Sequence, residues 1–449
     1  MREFDVVVIG AGSAGEVAAG RLGENGLSVA IVEDRLVGGE CSFYACMPSK
    51  ALLRPVELAR EVERVPGLAI GPIDVAAVLA RRDDVIAHLD DSGQVPWLED
   101  RGITLVRGRG SLAGERLVLV DGEELSARTA VIVATGSSAL IPDIEGLRES
   151  RPWTNIEATT ATEVPPRLAI LGGGVVGAEL AQAWSALGSE VTLVHRGERL
   201  IEREEPFAGS QVLDALQEGG VDVRLRCSAV RVSRPAGVVI ELDDGTTFEA
   251  DEVLAAFGRR PGTDGIGLET VGLEAGVPLA VGDDLRVPGH DWLFAVGDVN
   301  GRALLTHMGK YQGRLAADAI LGREGRLRSD GDRSPRLIFT DPQVGAVGYT
   351  LAAAQEAGLD VRHVDVKTSG NAGGSFVGRG AVGTARIVVD EGRRVIVGAT
   401  ITGSEVAEAL HAATIAVVAE VSIDDLWHAV PSFPTRSELW LKLLEAYGM

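Results

Sequence analysis

Cys41 and Cys46 are two of only three cysteines in a 449-residue chain, and they share one short stretch, GGECSFYACMPSK, residues 38–50. In a regular helix, positions five apart lie roughly 8–9 Å from one another and point about 140° apart. A disulfide needs its Cα atoms within roughly 7 Å. The two thiols would therefore bond only if the backbone is distorted at the start of a helix. A strained, reachable disulfide is the labile, catalytic kind. The bland alternative is two unrelated buried thiols. Lys50 follows Cys46 by four residues, and a cation there would favour a thiolate. Glu179 is its candidate ion-pair partner, although both would also suit a plain surface pair. Cys227, in VRLRCSAV, reads as an ordinary small thiol, and no metal site is assigned.

Such a pair needs a scaffold and an electron source, and the elements around it supply both. Residues 5–10, DVVVIG, read as a buried parallel strand ending in glycine. Gly10, Gly12 and Gly15 then form GxGxxG, followed by a helical stretch, a strand Val29–Val32 and Glu33. Glycines in that pattern permit a tight turn and let backbone N–H groups reach a pyrophosphate at a helix N-terminus. An acid at the end of the second strand takes a ribose diol. The pattern recurs: Gly172, Gly174 and Gly177 stand 162 residues after Gly10, Gly12 and Gly15, and the same offset carries Glu33 onto His195. Two such units in one register argue for two dinucleotide sites.

The sites differ at the ribose. Glu33 suits FAD in the first. His195, Arg196 and Arg199 in the second would pair with a 2′-phosphate, which favours NADPH over NADH, with solvated surface residues as the alternative. Asp298, after the strand-like LFAVG, would accept hydrogen bonds from a ribityl chain, unless Gly297-Asp298 is a simple turn. Leu304–Gly313 (LLTHMGKYQG), which holds Thr306 and His307, reads as a helix start whose amides would stabilise negative charge on a reduced flavin. Thr135 and Gly136 close another strand-to-turn stretch, AVIVATG, and VLAAFGR (253–259) is a third.

The net charge of −22 argues against nucleic acid or an anionic membrane as partner. Three cysteines make no disulfide framework, so a reducing cytoplasm is the expected compartment, and the N-terminus does not read as a signal peptide. No apolar run approaches a membrane span. The expected fold class is α/β, with two Rossmann-like dinucleotide-binding domains and an α+β C-terminal domain. The boundaries are 1–150 (first part of the FAD domain), 151–262 (nucleotide domain), 263–332 (a return to the FAD domain) and 333–449. A long helix is expected over Ala51–Arg64, a charged, turn-rich boundary over 323–335, and C-terminal helices over 404–420 and 435–447.

In order along the chain, GxGxxG, Cys-x4-Cys-x-Pro-Ser-Lys, GGGVVGAE (172–179), Gly297-Asp298 and FTDPQVGAVGYT (339–350) occur. With that set the chain resembles, over essentially its whole length, the pyridine nucleotide–disulfide oxidoreductases, such as dihydrolipoamide dehydrogenase, glutathione reductase and mercuric reductase. The resemblance implies a homodimer with FAD, NAD(P), central and interface domains. It implies that Cys41 meets the substrate and Cys46 faces the flavin. Electrons would run from NAD(P)H through FAD to the disulfide.

Three departures stand out. Asn and Gly of the family's usual Cys-x-Asn-x-Gly-Cys are Phe43 and Ala45 here. The family's His-Pro-x-x-x-Glu base reads FPTRSE, so Phe433 takes the histidine position while Glu438 keeps its place; His428 is out of register. There is no C-terminal cysteine pair, which disfavours mercury. Without an imidazole, an acceptor that demands little acid–base help fits best: a quinone, a metal ion or a disulfide with a low-pKa leaving thiol. Phe433, Phe43 and Tyr44 would line a pocket for a flat substrate, or pack an interface. The expectation is thus an FAD enzyme passing electrons from NAD(P)H to a small acceptor. Dihydrolipoamide dehydrogenase and a redox-responsive binding flavoprotein with little turnover are the alternatives.

Overall fold

The computed structural model describes all 449 residues. They group into two compact units, each assembled from separated stretches: residues 1–48, 82–140 and 258–331 in one, and 49–81, 141–257 and 332–449 in the other.

The first unit is built on the strand Arg2–Ile9, whose inner residues are apolar and buried because it is flanked on both sides. It pairs in parallel with Val29–Glu33, which pairs with Ile103–Arg107; on its other edge it pairs in parallel with Glu123–Val133. Leu293–Ala295 also runs parallel to Glu123–Val133. The antiparallel strands Leu117–Val120 and Gly110–Gly114 extend the sheet. Helix Ser13–Glu24 leaves the first strand through the glycine turn and packs beside helix Thr306–Ile320. Small residues on both permit that approach. The chain therefore returns to this unit after its middle third, and Gly297-Asp298 follows a strand of the first sheet.

The second unit repeats the parallel pattern with strands Asp222–Leu225, Glu190–His195, Arg167–Leu171 and Glu252–Ala255 in that order. Helix Val175–Ala186 follows its glycine turn. Three antiparallel strands between residues 229 and 250 cover part of the same core. Residues from 336 onward form a five-stranded antiparallel sheet, Arg336–Ile338, Gln343–Gly348, Val395–Gly403, Thr384–Asp390 and Val361–Lys367 in spatial order, backed by helices Val406–Val418 and Glu438–Tyr447. The fold is α/β with two Rossmann-like sheets and an antiparallel C-terminal domain.

The long helix begins earlier than its apolar pattern suggests, spanning Cys46–Arg64. Pro48 does not delay it, because a proline in the first turn lacks only an N–H that would be unpaired anyway. The division between the two units falls within this helix, after Pro48.

Candidate active site

The first glycine turn is sterically determined. Gly10 has φ +103°, and a Cβ there would stand 2.4 Å from the Ala134 carbonyl oxygen. A Cβ on Gly15 would stand 2.0 Å from the Gly10 oxygen. Gly12 is different: its nearest neighbour would be the Gly39 Cα at 3.9 Å, so its face is open. Gly12 caps helix Ser13–Glu24 without a side-chain hydrogen bond, leaving the first amides of the helix available. Tight where the chain turns and open where the helix begins, this cradle fits a pyrophosphate. Glu33 ends the second strand as expected in sequence; its carboxylate accepts from the amides of Ala11 (2.8 Å) and Arg35 (2.9 Å). Burial pushes its pKa up despite those donors.

Asp298 lies on the same side of the sheet with partners that sequence reasoning missed. Its carboxylate accepts from the Ser137 hydroxyl (2.5 Å), and Arg259 stands 3.7 Å away. Arg259 also donates to the Ser137 hydroxyl and pairs with Glu40, the residue before Cys41. Burial raises the Asp298 pKa, with Ser137 and Arg259 opposing. Thr135 donates to the Gly262 carbonyl at 2.6 Å, and Gly136 takes a positive φ of +68°. VLAAFGR ends in Arg259 and GGEC holds Glu40, but only the fold brings these two together.

Both cysteines are half-buried free thiols in this structure. Helix Gly39–Phe43 ends at Tyr44, whose φ of −134° is not helical, and the next helix starts at Cys46. The pair thus straddles a helix break. Cys46 Sγ lies 3.3 Å from Thr306 Oγ1, at the first residue of helix Thr306–Ile320. That helix start has no side-chain cap, so its amides and its positive dipole end stand near the sulfur. His307, next in line, is exposed. The Cys41 thiol is pushed well above the usual thiol range, first by hydrogen bonding to Cys46, then by burial and by negative charge on Cys46.

The aromatics between the cysteines do not form an open slot. Phe43 is only 2% exposed and packs in the core, and Tyr44 lies under the Arg35 guanidinium at 4.8 Å from the ring centre. Gly38 allows this, since a Cβ there would meet the Phe43 ring at 3.1 Å. Burial of an aromatic wedge outweighs its exposure at a surface.

In the second unit, Lys50 Nζ stands 2.7 Å from Glu179 Oε2 and over the Phe339 ring at 4.8 Å. The other Glu179 oxygen accepts from the Phe339 amide at 2.9 Å, so this buried carboxylate is satisfied on both sides. The second glycine turn copies the first. Gly172 has φ +120° and would clash with the Ala256 oxygen at 2.3 Å; Gly177 would clash with the Gly172 oxygen at 1.9 Å; Gly174 is open. Arg196 and Arg199 follow the strand end without an ion pair. His195 is not a third cation beside them. Its Nδ1 accepts from the Gly173 amide at 3.1 Å, and burial, helped by Arg196, holds its pKa below the ordinary imidazole value. The ring is a neutral acceptor towards the backbone.

At the C-terminal end, Phe433 is 77% exposed. Glu438 opens the last helix and accepts from the Gly373 amide at 3.3 Å. Gly373 packs so closely on Thr435 that a Cβ would fall 2.0 Å from its carbonyl carbon. Glu438 thus links the FPTRSE stretch to Gly373. His428 is the exposed C-cap residue of helix Ile423–Trp427.

Comparisons with known proteins identify the family and the fold. The family model for pyridine nucleotide-disulphide oxidoreductases matches residues 4–314, and that for the dimerisation domain of the same family matches residues 334–443. A mercuric reductase from Staphylococcus aureus is 30% identical over 97% of this chain and 81% of its own. A glutathione reductase from Burkholderia cepacia is 31% identical over 98% of each. A dihydrolipoyl dehydrogenase from Chlamydia muridarum is 32% identical over 97% of this chain and 95% of its own. Among solved structures, LpdA from Mycobacterium tuberculosis superposes with a TM-score of 0.88 at 25% identity over the whole of both chains. The HOCl-induced flavoprotein disulfide reductase RclA from Escherichia coli shares the fold, with a TM-score of 0.87 at 24% identity over 98% of this chain and 99% of its own. The chain belongs to the pyridine nucleotide–disulphide oxidoreductase family. FAD and a pyridine nucleotide are typical of that family, and no helix is long and apolar enough to cross a membrane.

Proposed function

We propose that the enzyme takes two electrons from a pyridine nucleotide, passes them through FAD to the Cys41–Cys46 pair, and delivers them to a small acceptor that needs no imidazole. When bound, FAD supplies the step that accepts a hydride and releases two electrons to the disulfide. Gly10, Gly12 and Gly15 would hold its pyrophosphate, Glu33 its adenosine ribose, and Thr135, Gly136 and Asp298 the ribityl side. Thr306 and His307 would bring a helix N-terminus to the ring end. Gly172, Gly174 and Gly177 would hold the nucleotide, with Arg196 and Arg199 favouring NADPH and NADH still usable. Two electrons and one proton open the disulfide to a thiol and a thiolate. The raised Cys41 pKa supports keeping the proton there and the charge on Cys46, beside Thr306. Lys50, fixed by Glu179, would add positive charge. The FAD domain would comprise residues 1–150 and 263–332, the nucleotide domain 151–262 and the interface domain 333–449, in a homodimer.

The observation that carries the choice of acceptor is at residues 433–438. Phe433 has no proton to exchange, and Glu438 is tied through one oxygen to the Gly373 amide. Loss of a general acid–base group typically costs about 10²–10⁴ in rate where alkyl thiols must gain or lose protons. A quinone, a metal ion or a low-pKa disulfide escapes most of that cost.

Purified enzyme tested with NADPH and NADH against quinones, disulfides and metal ions identifies the acceptor. Cys41→Ser is expected to lower turnover of that acceptor by about 100-fold or more while flavin reduction by the nucleotide persists. Unchanged turnover would remove the disulfide from the route. The dihydrolipoyl dehydrogenase relatives favour a second reading. It prevails if dihydrolipoamide is oxidised as fast as the best quinone is reduced.

A further inference from the structure

The two glycine turns use the same backbone amide differently. In the first, the Ala11 amide donates to the Glu33 carboxylate at 2.8 Å. In the second, the corresponding Gly173 amide donates to His195 Nδ1 at 3.1 Å. A ring needs more room than a carboxylate, and Gly173 provides it. A Cβ there would fall 2.7 Å from His195 Cγ and 2.6 Å from Leu200 Cδ2. With Nδ1 accepting, the ring hydrogen sits on Nε2. Nε2 is buried and makes no well-formed hydrogen bond, with the Arg199 backbone near the ring.

Towards Nε2 also comes an acid that the strand end itself lacks. The loop after the strand brings Glu202 Oε2 to 3.9 Å from His195 Nε2. Gly197 lets it in, since a Cβ there would fall 2.1 Å from Glu202 Oε1. The gap is too long for a hydrogen bond and suits one hydroxyl oxygen at about 2.8 Å from each atom. That hydroxyl would accept from Nε2–H and donate to the carboxylate. The Glu202 side chain is half exposed, so it has freedom to turn and admit the group.

We propose that Glu202 is the residue that restrains 2′-phosphate recognition at the second dinucleotide site, so that NADH is accepted beside NADPH. This deepens, and rests on, the reading of that site as the pyridine nucleotide site. A ribose 2′-hydroxyl can both accept and donate, and so bridges His195 and Glu202. A 2′-phosphate meets the carboxylate with like charge. Arg196 and Arg199 pull the other way and hold no ion pair, whereas Glu198 is engaged with Arg226. The site therefore carries two opposed preferences within a few residues.

The test is binding of NADP⁺ and NAD⁺ to the FAD-loaded enzyme by titration calorimetry. Glu202→Gln keeps the shape and removes the charge. It is expected to tighten NADP⁺ roughly five- to tenfold and to weaken NAD⁺ a few-fold. An Arg196→Gln/Arg199→Gln double variant is expected to weaken NADP⁺ and spare NAD⁺. If the double variant behaves so but Glu202→Gln leaves the NADP⁺/NAD⁺ ratio unchanged, the role of Glu202 is wrong and the site reading stands. If neither variant alters either affinity, the nucleotide lies elsewhere and both readings fall.

Discussion

Cys41 and Cys46 differ less in chemistry than in neighbours. Cys46 faces the Thr306 hydroxyl at a helix start, and Cys41 faces Cys46 as well as the Thr306 and Ser13 hydroxyls. Another titrating side chain sits on the same scaffold. Glu16 lies in the first turn of helix Ser13–Glu24, and burial raises its carboxyl to about 7, with Glu33 adding to the rise and Lys310 opposing it. A carboxyl whose folded pKa exceeds its unfolded value binds extra protons in the native state. Its stabilising contribution is complete below its ordinary value near 4.5 and is lost as pH rises through about 7. Glu16→Gln removes that dependence. The variant is expected to be more stable than wild type by about 2–3 kcal/mol at pH 8 and to match it at pH 4.5. Thermal midpoints across that range check this; an equal gain at both ends would show that the carboxyl does not titrate in the native state.

The two strand–turn–helix elements make a matched pair for mutation. Gly15→Ala drives a methyl group to 2.0 Å from the Gly10 oxygen, so the turn must open. Its purified protein is expected to retain less than about a tenth of the wild-type FAD, because the amides no longer converge. Gly177→Ala makes the corresponding clash at 1.9 Å in the other unit and is expected to keep FAD while losing nucleotide affinity. Flavin absorbance per protein reads the first effect and calorimetry the second. Full flavin in Gly15→Ala would refute the assignment of the first turn.

These elements were readable in sequence because a glycine turn is a local steric requirement and leaves its mark within a few residues. The strand ends at Glu33 and His195 were readable for the same reason. Contacts between distant stretches were not. Nothing near Glu40 announces Arg259, and nothing in the loop after His195 announces that Glu202 folds back to it. Phe43, a pocket or interface candidate by type, is almost wholly buried, and the residues of a short broken helix do not say which face is core. His195 looked basic by type. Its protonation is decided by the Gly173 amide and by burial, which only coordinates supply.

At the scale of the molecule, the question is what covers the exposed apolar side chains of the C-terminal domain. Phe376 (70% exposed) and Val430 (84% exposed) stand out with Val382, Ile415 and Phe433, all within the stretch matched by the dimerisation-domain model. Large exposed apolar side chains within a stretch matched to such a domain favour burial against a second copy. The net charge of −22 opposes association, so apolar contact must supply the attraction. Two consequences distinguish this from loose aggregation. Screening lengthens from about 8 Å at physiological salt to about 30 Å at 0.01 M, so the homodimer is expected to loosen as salt is removed. A Phe376→Asp/Ile415→Asp double variant, which places two carboxylates on each copy in that surface, is expected to sediment as a monomer at concentrations where wild type sediments at twice the chain mass. Analytical ultracentrifugation at low and physiological salt decides between them. A wild-type chain that stays monomeric at every salt, or a double variant that stays dimeric, would place the self-association surface elsewhere or deny it.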